Sequence, residues 1–194
     1  MPNETDRERW DRKYSAGEGP VHFEPDRLLT GHRALLSGGQ ALDVACGFGG
    51  NALYLAAQGY QVDAVDVSSV ALAHAQAEAR RRQQPIQFVQ ADLSRWWVPP
   101  GRYDLILVLF YLNRELMSQI GTGLRPGGWL FQANRSRHYL TIRPDFDPAY
   151  LLEPGELLRL AQEAGLQVVY YVDDDCRLPD APHASQLIAR RCLG

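Results

Sequence analysis

Short apolar runs alternate with longer helical patterns through the middle of the chain. The runs that predict strands are residues 41–45, 62–67, 86–90, 103–109 and 129–133. The segments that predict helices are residues 51–58, 70–82 and 113–124. Such alternation is typical of βαβ units and a mostly parallel sheet. The uninterrupted apolar character of residues 105–112 favours a central strand that is covered on both faces.

The pattern changes on either side of this core. Residues 6–14 have helical spacing, which places Trp10 and Tyr14 on one face. Residues 135–153 are rich in aromatic residues, arginine and proline, and predict a loop or short insertion. A helix over residues 154–164 follows, since proline is accepted in a first helical turn. Two closing strands are predicted at residues 168–172 and 184–190.

Composition limits the class of protein. The 194 residues are 45% hydrophobic and 22% charged, as in a globular enzyme. Because 20 basic residues face 23 acidic ones, with a net charge of -3, neither a nucleic-acid partner nor a membrane is expected. The polar N-terminus predicts no secretory signal. Cys46, Cys176 and Cys192 have no paired spacing, which favours reduced thiols in a cytoplasmic protein and no metal site.

The segment over residues 41–51 joins the first strand to the first core helix through a glycine turn. Gly47, Gly49 and Gly50 lack a Cβ, so the turn can adopt positive φ angles and a ligand can lie against the bare backbone. The start of the helix adds unpaired N–H groups. With Ala52, the turn also satisfies the dinucleotide fingerprint, which leaves a nicotinamide-dependent enzyme open.

Three acidic residues stand at the ends of successive predicted strands. Asp43 lies next to the turn, where a carboxylate disfavours a pyrophosphate and attracts a cation or an ammonium group. Asp66 ends the second strand, where it can accept hydrogen bonds from both ribose hydroxyls. Asp92 follows the third strand, where it can accept a bond from an adenine amino group. Together they predict a site for a nucleoside that carries positive charge rather than phosphates.

The sequence resembles the class I S-adenosylmethionine-dependent methyltransferases. The motifs, in family order, are Leu-Asp-Val-Ala-Cys-Gly-Phe-Gly (42–49), Val-Asp-Val-Ser (65–68), Ala-Asp-Leu (91–93), Tyr-Asp-Leu-Ile-Leu (103–107) and Leu-Arg-Pro-Gly-Gly-Trp-Leu (124–130). The resemblance implies an enzyme with a Rossmann-like, doubly wound α/β fold: a mostly parallel seven-stranded sheet with an antiparallel C-terminal strand and helices on both faces. It also implies S-adenosylmethionine as cofactor and S-adenosylhomocysteine as product.

The resemblance assigns site residues by position. The cofactor-binding set would be Asp43, Ala45, Cys46, Gly47, Phe48, Gly49, Asp66, Val67, Asp92, Leu93 and Leu109, with Trp10, Arg12 and Tyr14 from the N-terminal segment. Gly47 and Gly49 would lie along the methionine portion, and Asp66 would hold the ribose. Ala45 stands where the family often has glycine, and its methyl group would crowd the cofactor slightly.

The resemblance further implies one methyltransferase domain over residues 1–194. Residues 1–36 would cover the cofactor, residues 40–133 would bind it, and residues 134–153 would form a substrate-side insertion. More narrowly, residues 10–14 and the short chain are similar to bacterial tellurite-resistance and thiopurine-type methyltransferases.

The chemistry of methyl transfer sets what the acceptor side needs. The donor is already activated, so the protein mainly aligns the nucleophile and excludes water. A general base is needed only if the nucleophile arrives protonated. We therefore expect transfer to a small-molecule nucleophile such as a thiol or a chalcogen oxyanion, without an obligatory catalytic residue. Candidates on this side are Tyr111, His22, His138 and Arg135. If Arg135, Arg137 and Arg143 converge, they would favour an anionic acceptor.

Other interpretations stay open. An NAD-dependent oxidoreductase is disfavoured because the chain leaves little room for a substrate domain and Asp43 suits phosphates poorly. A protein that binds S-adenosylmethionine without catalysis is a further alternative. Cys46 is predicted to be a small buried filler, and residues 173–175 a hydrophilic loop rather than a metal site. The methyl acceptor, the attacking atom and the oligomeric state are left undetermined.

Overall fold

A computed structural model describes residues 4–16, 21–175 and 183–193, apart from the side chain of Asp175. Cys176 lies outside these residues. The chain forms two compact units, Met1–Trp97 and Val98–Gly194. The prediction of one methyltransferase domain over residues 1–194 stays a prediction.

The first unit is built on parallel strands. Its elements are α1 (Asp6–Ser15), α2 (Arg27–Gly31), a 3₁₀ helix (Arg33–Leu35), β1 (Gly39–Val44), α3 (Gly50–Ala57), β2 (Tyr60–Asp66), α4 (Ser69–Arg81) and β3 (Ile86–Gln90). Strand β2 pairs in parallel with both β1 and β3. Residues 41–44 of β1 are all buried. The C-terminal ends of these strands therefore meet at one edge, where open α/β sheets bind ligands.

A single carboxylate holds α1 against α4. Helix α1 begins with a capping box in which Thr5 and Glu8 satisfy each other's backbone N–H, and none of its described residues is fully buried. Asp11 accepts hydrogen bonds from the Ser68 hydroxyl at 2.6 Å and the Val70 N–H at 3.2 Å. Since an anionic side chain is favoured at a helix N-terminus, this contact docks α1 on the start of α4.

The second unit combines parallel and antiparallel pairs. Its elements are β4 (Tyr103–Leu109), α5 (Leu116–Gly123), β5 (Leu124–Arg135), 3₁₀ helices (Arg137–Thr141 and Pro148–Tyr150), α6 (Glu156–Glu163), β6 (Leu166–Asp175) and β7 (Ala184–Arg191). Strands β4 and β5 are parallel, and β7 runs antiparallel to both β5 and β6. The ends of β4, β5 and β6 and the start of β7 therefore share one edge.

The described strands form a seven-stranded mixed sheet in the order β3-β2-β1-β4-β5-β7-β6, with β7 antiparallel to its neighbours. This order confirms the predicted fold class, a Rossmann-like α/β fold with a mostly parallel sheet and an antiparallel C-terminal strand.

Several predicted boundaries were wrong for local reasons. Helix α5 begins at Leu116 rather than 113, because the Asn113 side chain accepts the N–H groups of Glu115 and Leu116 and caps the helix. Strand β5 begins at residue 124, ahead of the predicted 129. The predicted loop at 173–175 is the end of β6.

Arg114 fixes the segment after β5 to α6. Its guanidinium donates to both carboxylate oxygens of Glu156, at 2.6 and 3.1 Å, and to the carbonyls of Ala149 and Leu151. Because Glu156 is only 7% exposed, removing this partner would leave a buried charge without compensation. The predicted insertion is therefore tied down at its C-terminal end.

Candidate active site

The turn between β1 and α3 has an unusual backbone. Ala45, Gly47 and Gly49 have φ angles of 56°, 52° and 78°. Glycine adopts such angles freely, whereas the Cβ of an alanine raises the energy by about 1–2 kcal/mol. The Cys46 N–H donates to the Val65 carbonyl at 3.1 Å, which ties the turn to β2. The turn is thus held next to the end of β2.

Asp66 holds this turn through backbone groups. One of its carboxylate oxygens accepts the Gly47 N–H at 2.8 Å, and the other accepts the Ser68 N–H at 2.9 Å. Burial raises the pKa of Asp66, and these hydrogen bonds oppose the rise. Each carboxylate oxygen has a second lone pair. Asp66 can therefore hold the turn and still accept hydrogen bonds from a ligand.

Asp43 carries an unsatisfied buried oxygen. The residue is 1% exposed, and the backbone of Ala52 donates to its carboxylate, but its Oδ2 has no hydrogen-bond partner among the described residues. Burial and the charge of Asp66 raise the pKa of Asp43 to about 8. An unpaired buried polar atom costs about 1–3 kcal/mol. A ligand with an ammonium or sulfonium group would remove that cost, so the site fits a cation.

Aromatic side chains stand beside the turn. The Tyr14 hydroxyl lies 3.1 Å from the position that a Cβ on Gly47 would take. The Tyr14 ring meets Phe48 edge to face at 4.9 Å and stacks on Trp10 at 5.7 Å between centroids. Burial, with the charges of Asp66 and Cys46, raises the pKa of Tyr14. The phenol therefore stays neutral and keeps a hydroxyl hydrogen to donate.

Cys46 is buried within the turn at 7% exposure. Burial raises the pKa of its thiol well above the usual value, and the charges of Asp43 and Asp66 add to the rise. Since the thiolate is the nucleophilic form, this cysteine is inert and fills space, as its predicted role requires.

The acid after β3 is engaged in its own turn. Asp92 is exposed, and its carboxylate accepts the N–H and the hydroxyl of Ser94 at 2.9 and 2.7 Å. These hydrogen bonds lower the pKa of Asp92. Its neighbour Leu93 is buried, and Val67 is half-buried. The contacts shown here join Asp43 and Asp66 at the glycine turn, while Asp92 caps a separate turn at the next strand end.

Two predicted N-terminal residues lie on the surface. Arg12 is exposed and donates to Glu4 at 2.9 Å. His22 is exposed, with its Nδ1 3.7 Å from the Glu24 carboxylate. These side chains have acidic neighbours, and their assignment to the cofactor and acceptor sites stays a prediction.

At the shared edge of the second unit, Arg135 packs against two aromatic rings. Its guanidinium carbon is 4.1 Å from the Tyr139 centroid and 5.2 Å from that of Phe110. Phe110 follows β4 with a φ of 56° and is 40% exposed. A bulky residue with positive φ is strained, and such strain concentrates at functional sites. The flanking residues Leu109 and Tyr111, both predicted site residues, are half-buried.

Asp174 joins two histidines and a serine at the same edge. Its Oδ1 accepts the Ser136 hydroxyl at 2.6 Å and lies 3.0 Å from the His183 Nδ1, while its Oδ2 lies 2.8 Å from the His138 Nδ1. Although partial burial opposes the effect, hydrogen bonds from Ser136 and His183 hold the pKa of Asp174 below its usual value. An ionised carboxylate only accepts hydrogen bonds, so the His183 imidazole donates from Nδ1. The close approach of His138 to Oδ2 likewise favours a hydrogen on its Nδ1.

This geometry leaves His138 equipped as a base. Its Nδ1 lies 2.8 Å from the carboxylate, and its side chain is 56% exposed. A neutral imidazole that donates from Nδ1 has a bare Nε2, which can accept a proton. A base oriented by a carboxylate is the usual arrangement for general-base catalysis.

The three arginines considered for an anionic acceptor have different neighbours. Arg137 lies 3.3 Å from Glu153, and Arg143 lies 3.2 Å from Asp145, whereas Arg135 is held against aromatic rings.

Sequence analysis missed Ser136, Asp174 and His183. They lie on different elements, with Asp174 38 residues from Ser136 along the chain, so no local motif links them. One signal was present at the end of β5 and in the residue after it, where Gln132, Asn134 and Ser136 are buried at alternate positions. A polar stripe on one face of a strand calls for polar neighbours.

Within residues 4–16, 21–175 and 183–193, no group of three or more His, Cys, Asp or Glu side chains is arranged to hold a metal ion. The helices in these ranges are also too short or too polar to cross a membrane.

Comparison with known proteins points to methyltransferases. A family model for the methyltransferase domain matches residues 41–128, which include the glycine turn and the acids at the first strand ends. The chain is 28% identical over 171 residues to a ubiquinone biosynthesis O-methyltransferase from Thiobacillus denitrificans, covering 76% of this chain and 74% of that one. These matches support a class I S-adenosylmethionine-dependent methyltransferase.

Solved structures share the methyltransferase fold. An S-adenosylmethionine-dependent methyltransferase from Mesorhizobium loti superposes with a TM-score of 0.70 at 19% identity, covering 88% of this chain and 100% of that one. Phosphoethanolamine N-methyltransferase 2 from Haemonchus contortus, in complex with S-adenosylmethionine, superposes with a TM-score of 0.76 at 16% identity, covering 98% of this chain and 61% of that one.

The matched methyltransferase domain and the solved structures support S-adenosylmethionine as the cofactor. This methyltransferase uses S-adenosylmethionine, and the alternatives of a nicotinamide-dependent enzyme and of a non-catalytic binder are not favoured. The narrower likeness to tellurite-resistance and thiopurine-type enzymes stays a prediction.

Proposed function

We propose that this methyltransferase transfers a methyl group from S-adenosylmethionine to a hydroxyl oxygen of an aromatic small molecule. The observation that carries the proposal is the 2.8 Å contact between the Nδ1 of His138 and the Oδ2 of Asp174. A hydroxyl group arrives protonated and needs a base, whereas a thiolate or an inorganic oxyanion does not. An oriented base therefore favours oxygen over the thiol and chalcogen acceptors expected from the sequence, as do relatives named O-methyltransferases.

The neighbouring rings support an aromatic acceptor. Phe110 presents an exposed ring at the edge of the second unit, and Tyr139 packs on Arg135. Flat aromatic molecules bind well against such rings, in stacked or edge-to-face arrangements. The guanidinium of Arg135 would stabilise the negative charge that develops as a phenol loses its proton.

Residues of the first unit fit the donor. The bare Oδ2 of Asp43 would accept a hydrogen bond from the ammonium group, and Asp66 would accept the ribose hydroxyls. The backbone at Gly47 and Gly49 would lie along the methionine portion. The remaining predicted contacts are Trp10, Arg12, Tyr14, Ala45, Cys46, Phe48, Val67, Asp92, Leu93 and Leu109.

The protein's part in the reaction is alignment and proton transfer. Bound S-adenosylmethionine supplies a methyl group on a positively charged sulfur. As the acceptor oxygen forms its bond to the methyl carbon and the carbon–sulfur bond breaks, the Nε2 of His138 takes the hydroxyl proton. Asp174 stabilises the resulting imidazolium. We retain the expectations of a cytoplasmic location and of a small-molecule acceptor rather than a nucleic acid.

A panel of acceptors tests the proposal. Labelled S-adenosylmethionine is incubated with phenols, catechols, thiols and tellurite, and the methylated products are identified by mass spectrometry. We expect aryl methyl ethers. His138→Gln should lower kcat by about 100- to 10,000-fold, the range for a general base, with unchanged affinity for S-adenosylhomocysteine. His32→Gln, at a histidine whose Nδ1 lies 2.9 Å from the Leu28 carbonyl oxygen, serves as the matched control. Methylation of thiols or tellurite alone, or full activity of His138→Gln, would refute an oxygen acceptor activated by this base.

A further inference from the structure

The carboxylate of Asp174 divides its two oxygens between different tasks. Oδ1 accepts the Ser136 hydroxyl and the His183 Nδ1–H, at 2.6 and 3.0 Å. Oδ2 faces the Nδ1 of His138. Oδ1 is thus held by two side chains of the protein, and Oδ2 is the oxygen next to the exposed His138.

We propose that Ser136 and His183 are positioning residues, which hold Asp174 so that its Oδ2 keeps His138 in the Nδ1–H form with a bare Nε2. The kinetic consequence rests on the proposed function, in which His138 is the base; the structural consequence for the His138 ring stands independently of it.

Both the backbone and the side chain of Ser136 take part in holding Asp174. It is 3% exposed, and its N–H donates to the carbonyl of His183 at 2.7 Å. It also forms an isolated bridge with Leu152. The hydroxyl that reaches Asp174 is therefore carried by a residue whose own position is fixed at the end of β5.

The backbone is strained at two of these residues. Asp174 and His183 have φ angles of 53° and 55°, a region that non-glycine residues rarely occupy. Strained conformations persist only where the surrounding contacts enforce them. The hydrogen bonds among Ser136, Asp174 and His183 are the contacts that bridge the two strained positions.

The two histidines are not equivalent. The side chain of His183 is 20% exposed, and that of His138 is 56% exposed. His183 shares its carboxylate oxygen with the buried Ser136, whereas His138 has the other oxygen to itself. His138 therefore faces solvent as the reactive ring, and His183 lies behind the carboxylate as its support.

Firm placement of Asp174 matters because a neutral imidazole has two forms. Without a fixed acceptor at Nδ1, the ring populates both the Nδ1–H and the Nε2–H forms. The Nε2–H form cannot take a proton at Nε2. If Asp174 were held less firmly, only a fraction of the His138 rings would therefore have a bare Nε2. The protein would lose basic capacity although His138 is still present.

Nitrogen-15 NMR of the imidazole rings tests this without an acceptor. His138→Gln assigns the His138 signals, and spectra are recorded at a pH where the ring is neutral. We expect a ring protonated at Nδ1 in the native protein, and a mixture of both forms in His183→Leu and in Ser136→Ala. His183→Asn keeps a side-chain N–H donor near the Nδ1 position and should restore the native form. An unchanged His138 ring in both His183→Leu and Ser136→Ala would overturn the proposal.

Kinetics with two phenols give the second test. With phenol as acceptor, His183→Leu should lower kcat about tenfold, as loss of an orienting partner does, with unchanged KM values, and His183→Asn should recover most of it. With 4-nitrophenol, which ionises near neutral pH and needs no base, the variants should match the native enzyme. An equal loss with both phenols would show a merely structural role and contradict the proposal. If His138→Gln lowers kcat with phenol but His183→Leu does not, the positioning role fails and the proposed function stands. If His138→Gln itself leaves kcat unchanged, the proposed function fails.

Discussion

Asp66 in the first unit and Asp174 in the second both have a close polar neighbour at each carboxylate oxygen, but the neighbours differ in kind. Asp66 is held by the backbone N–H groups of Gly47 and Ser68. Asp174 is held by side chains, those of Ser136, His138 and His183. Backbone donors neither titrate nor rotate away, which suits a fixed binding site. Imidazole donors can gain and lose protons, which suits proton transfer. Under the proposed function, Asp66 would serve binding and Asp174 would serve proton transfer.

The largest effect is expected on kcat, from a change at Asp174. Asp174→Asn replaces an acceptor with an amide that can present a donor to His138, so the ring would no longer be held with a bare Nε2. We expect kcat to fall by about 100- to 10,000-fold, while calorimetry gives an unchanged affinity for S-adenosylhomocysteine. Asp145→Asn, which alters an exposed partner of Arg143, is the control. A loss of cofactor affinity with normal kcat would reverse the assignment.

The next largest effect is expected on cofactor affinity, from a change at Asp66. Asp66→Asn keeps the size of the side chain but removes the charge that accepts backbone and ribose hydrogen bonds. We expect the dissociation constant for S-adenosylhomocysteine to rise by about 10- to 100-fold, the range for a lost charged hydrogen bond. At saturating S-adenosylmethionine, kcat should be largely kept. Glu24→Gln, at an exposed carboxylate, should leave binding unchanged, and equal affinities for Asp66→Asn and the native protein would refute the role of Asp66.

The pH dependence of cofactor affinity gives a further test of binding by the first unit. Because the pKa of Asp43 is about 8 in the cofactor-free protein, the carboxyl is mostly protonated at neutral pH, and binding of a cationic ligand should expel the proton. Cofactor affinity should then rise with pH by up to about tenfold per unit, and level off above pH 8. Calorimetry in buffers of different ionisation enthalpy measures the released proton. Asp43→Asn should abolish the release; a release that survives it would assign the proton to another group.

The same raised pKa sets the pH dependence of folding. The folded protein holds the Asp43 proton more tightly than the unfolded chain does. The contribution of Asp43 to the free energy of unfolding is therefore present in acid and is lost as pH rises through about 8. In urea titrations without cofactor, Asp43→Asn should flatten the decline between weakly acidic and weakly alkaline pH. A native profile in this variant would contradict the assignment.

The smallest effect concerns the turn itself. Ala45 has a φ of 56° where glycine would be unstrained, so Ala45→Gly trades relief of strain against a more flexible unfolded chain. We expect the free energy of unfolding to change by no more than about 1 kcal/mol, with a small gain in cofactor affinity. Gln83→Gly, also at a φ of 56° but after α4, should match it in stability and leave affinity unchanged. A weaker cofactor complex in Ala45→Gly would show that the alanine methyl helps binding.

The same comparison explains what the sequence could predict. The glycine turn, Asp43 and Asp66 lie in one continuous segment of strands and turns, so periodicity and spacing reveal them. The cluster around Asp174 brings together the ends of β5 and β6 and the start of β7. It depends on strained φ angles at Asp174 and His183, which periodicity does not encode. Polar residues 173–175 therefore suggested a loop, although they end a strand.

Charged residues show the second limit. The sequence predicts that Arg135 lies on the acceptor side, and this stays a prediction, but it cannot tell which local carboxylate binds Arg137 or Arg143. The structure gives them Glu153 and Asp145. Short-range pairing of this kind follows from loop geometry rather than from residue type, so charge counting alone overestimates an anion site.

The most direct test of the account is the kcat for methyl transfer to phenol and to 4-nitrophenol in the native enzyme and in His138→Gln. The account predicts that the variant is about 100- to 10,000-fold slower with phenol, which arrives protonated, and matches the native enzyme with 4-nitrophenol, which ionises without a base. Equal kcat values of the two proteins with phenol would show that His138 is not the base, and would contradict the division between a binding carboxylate and a catalytic one.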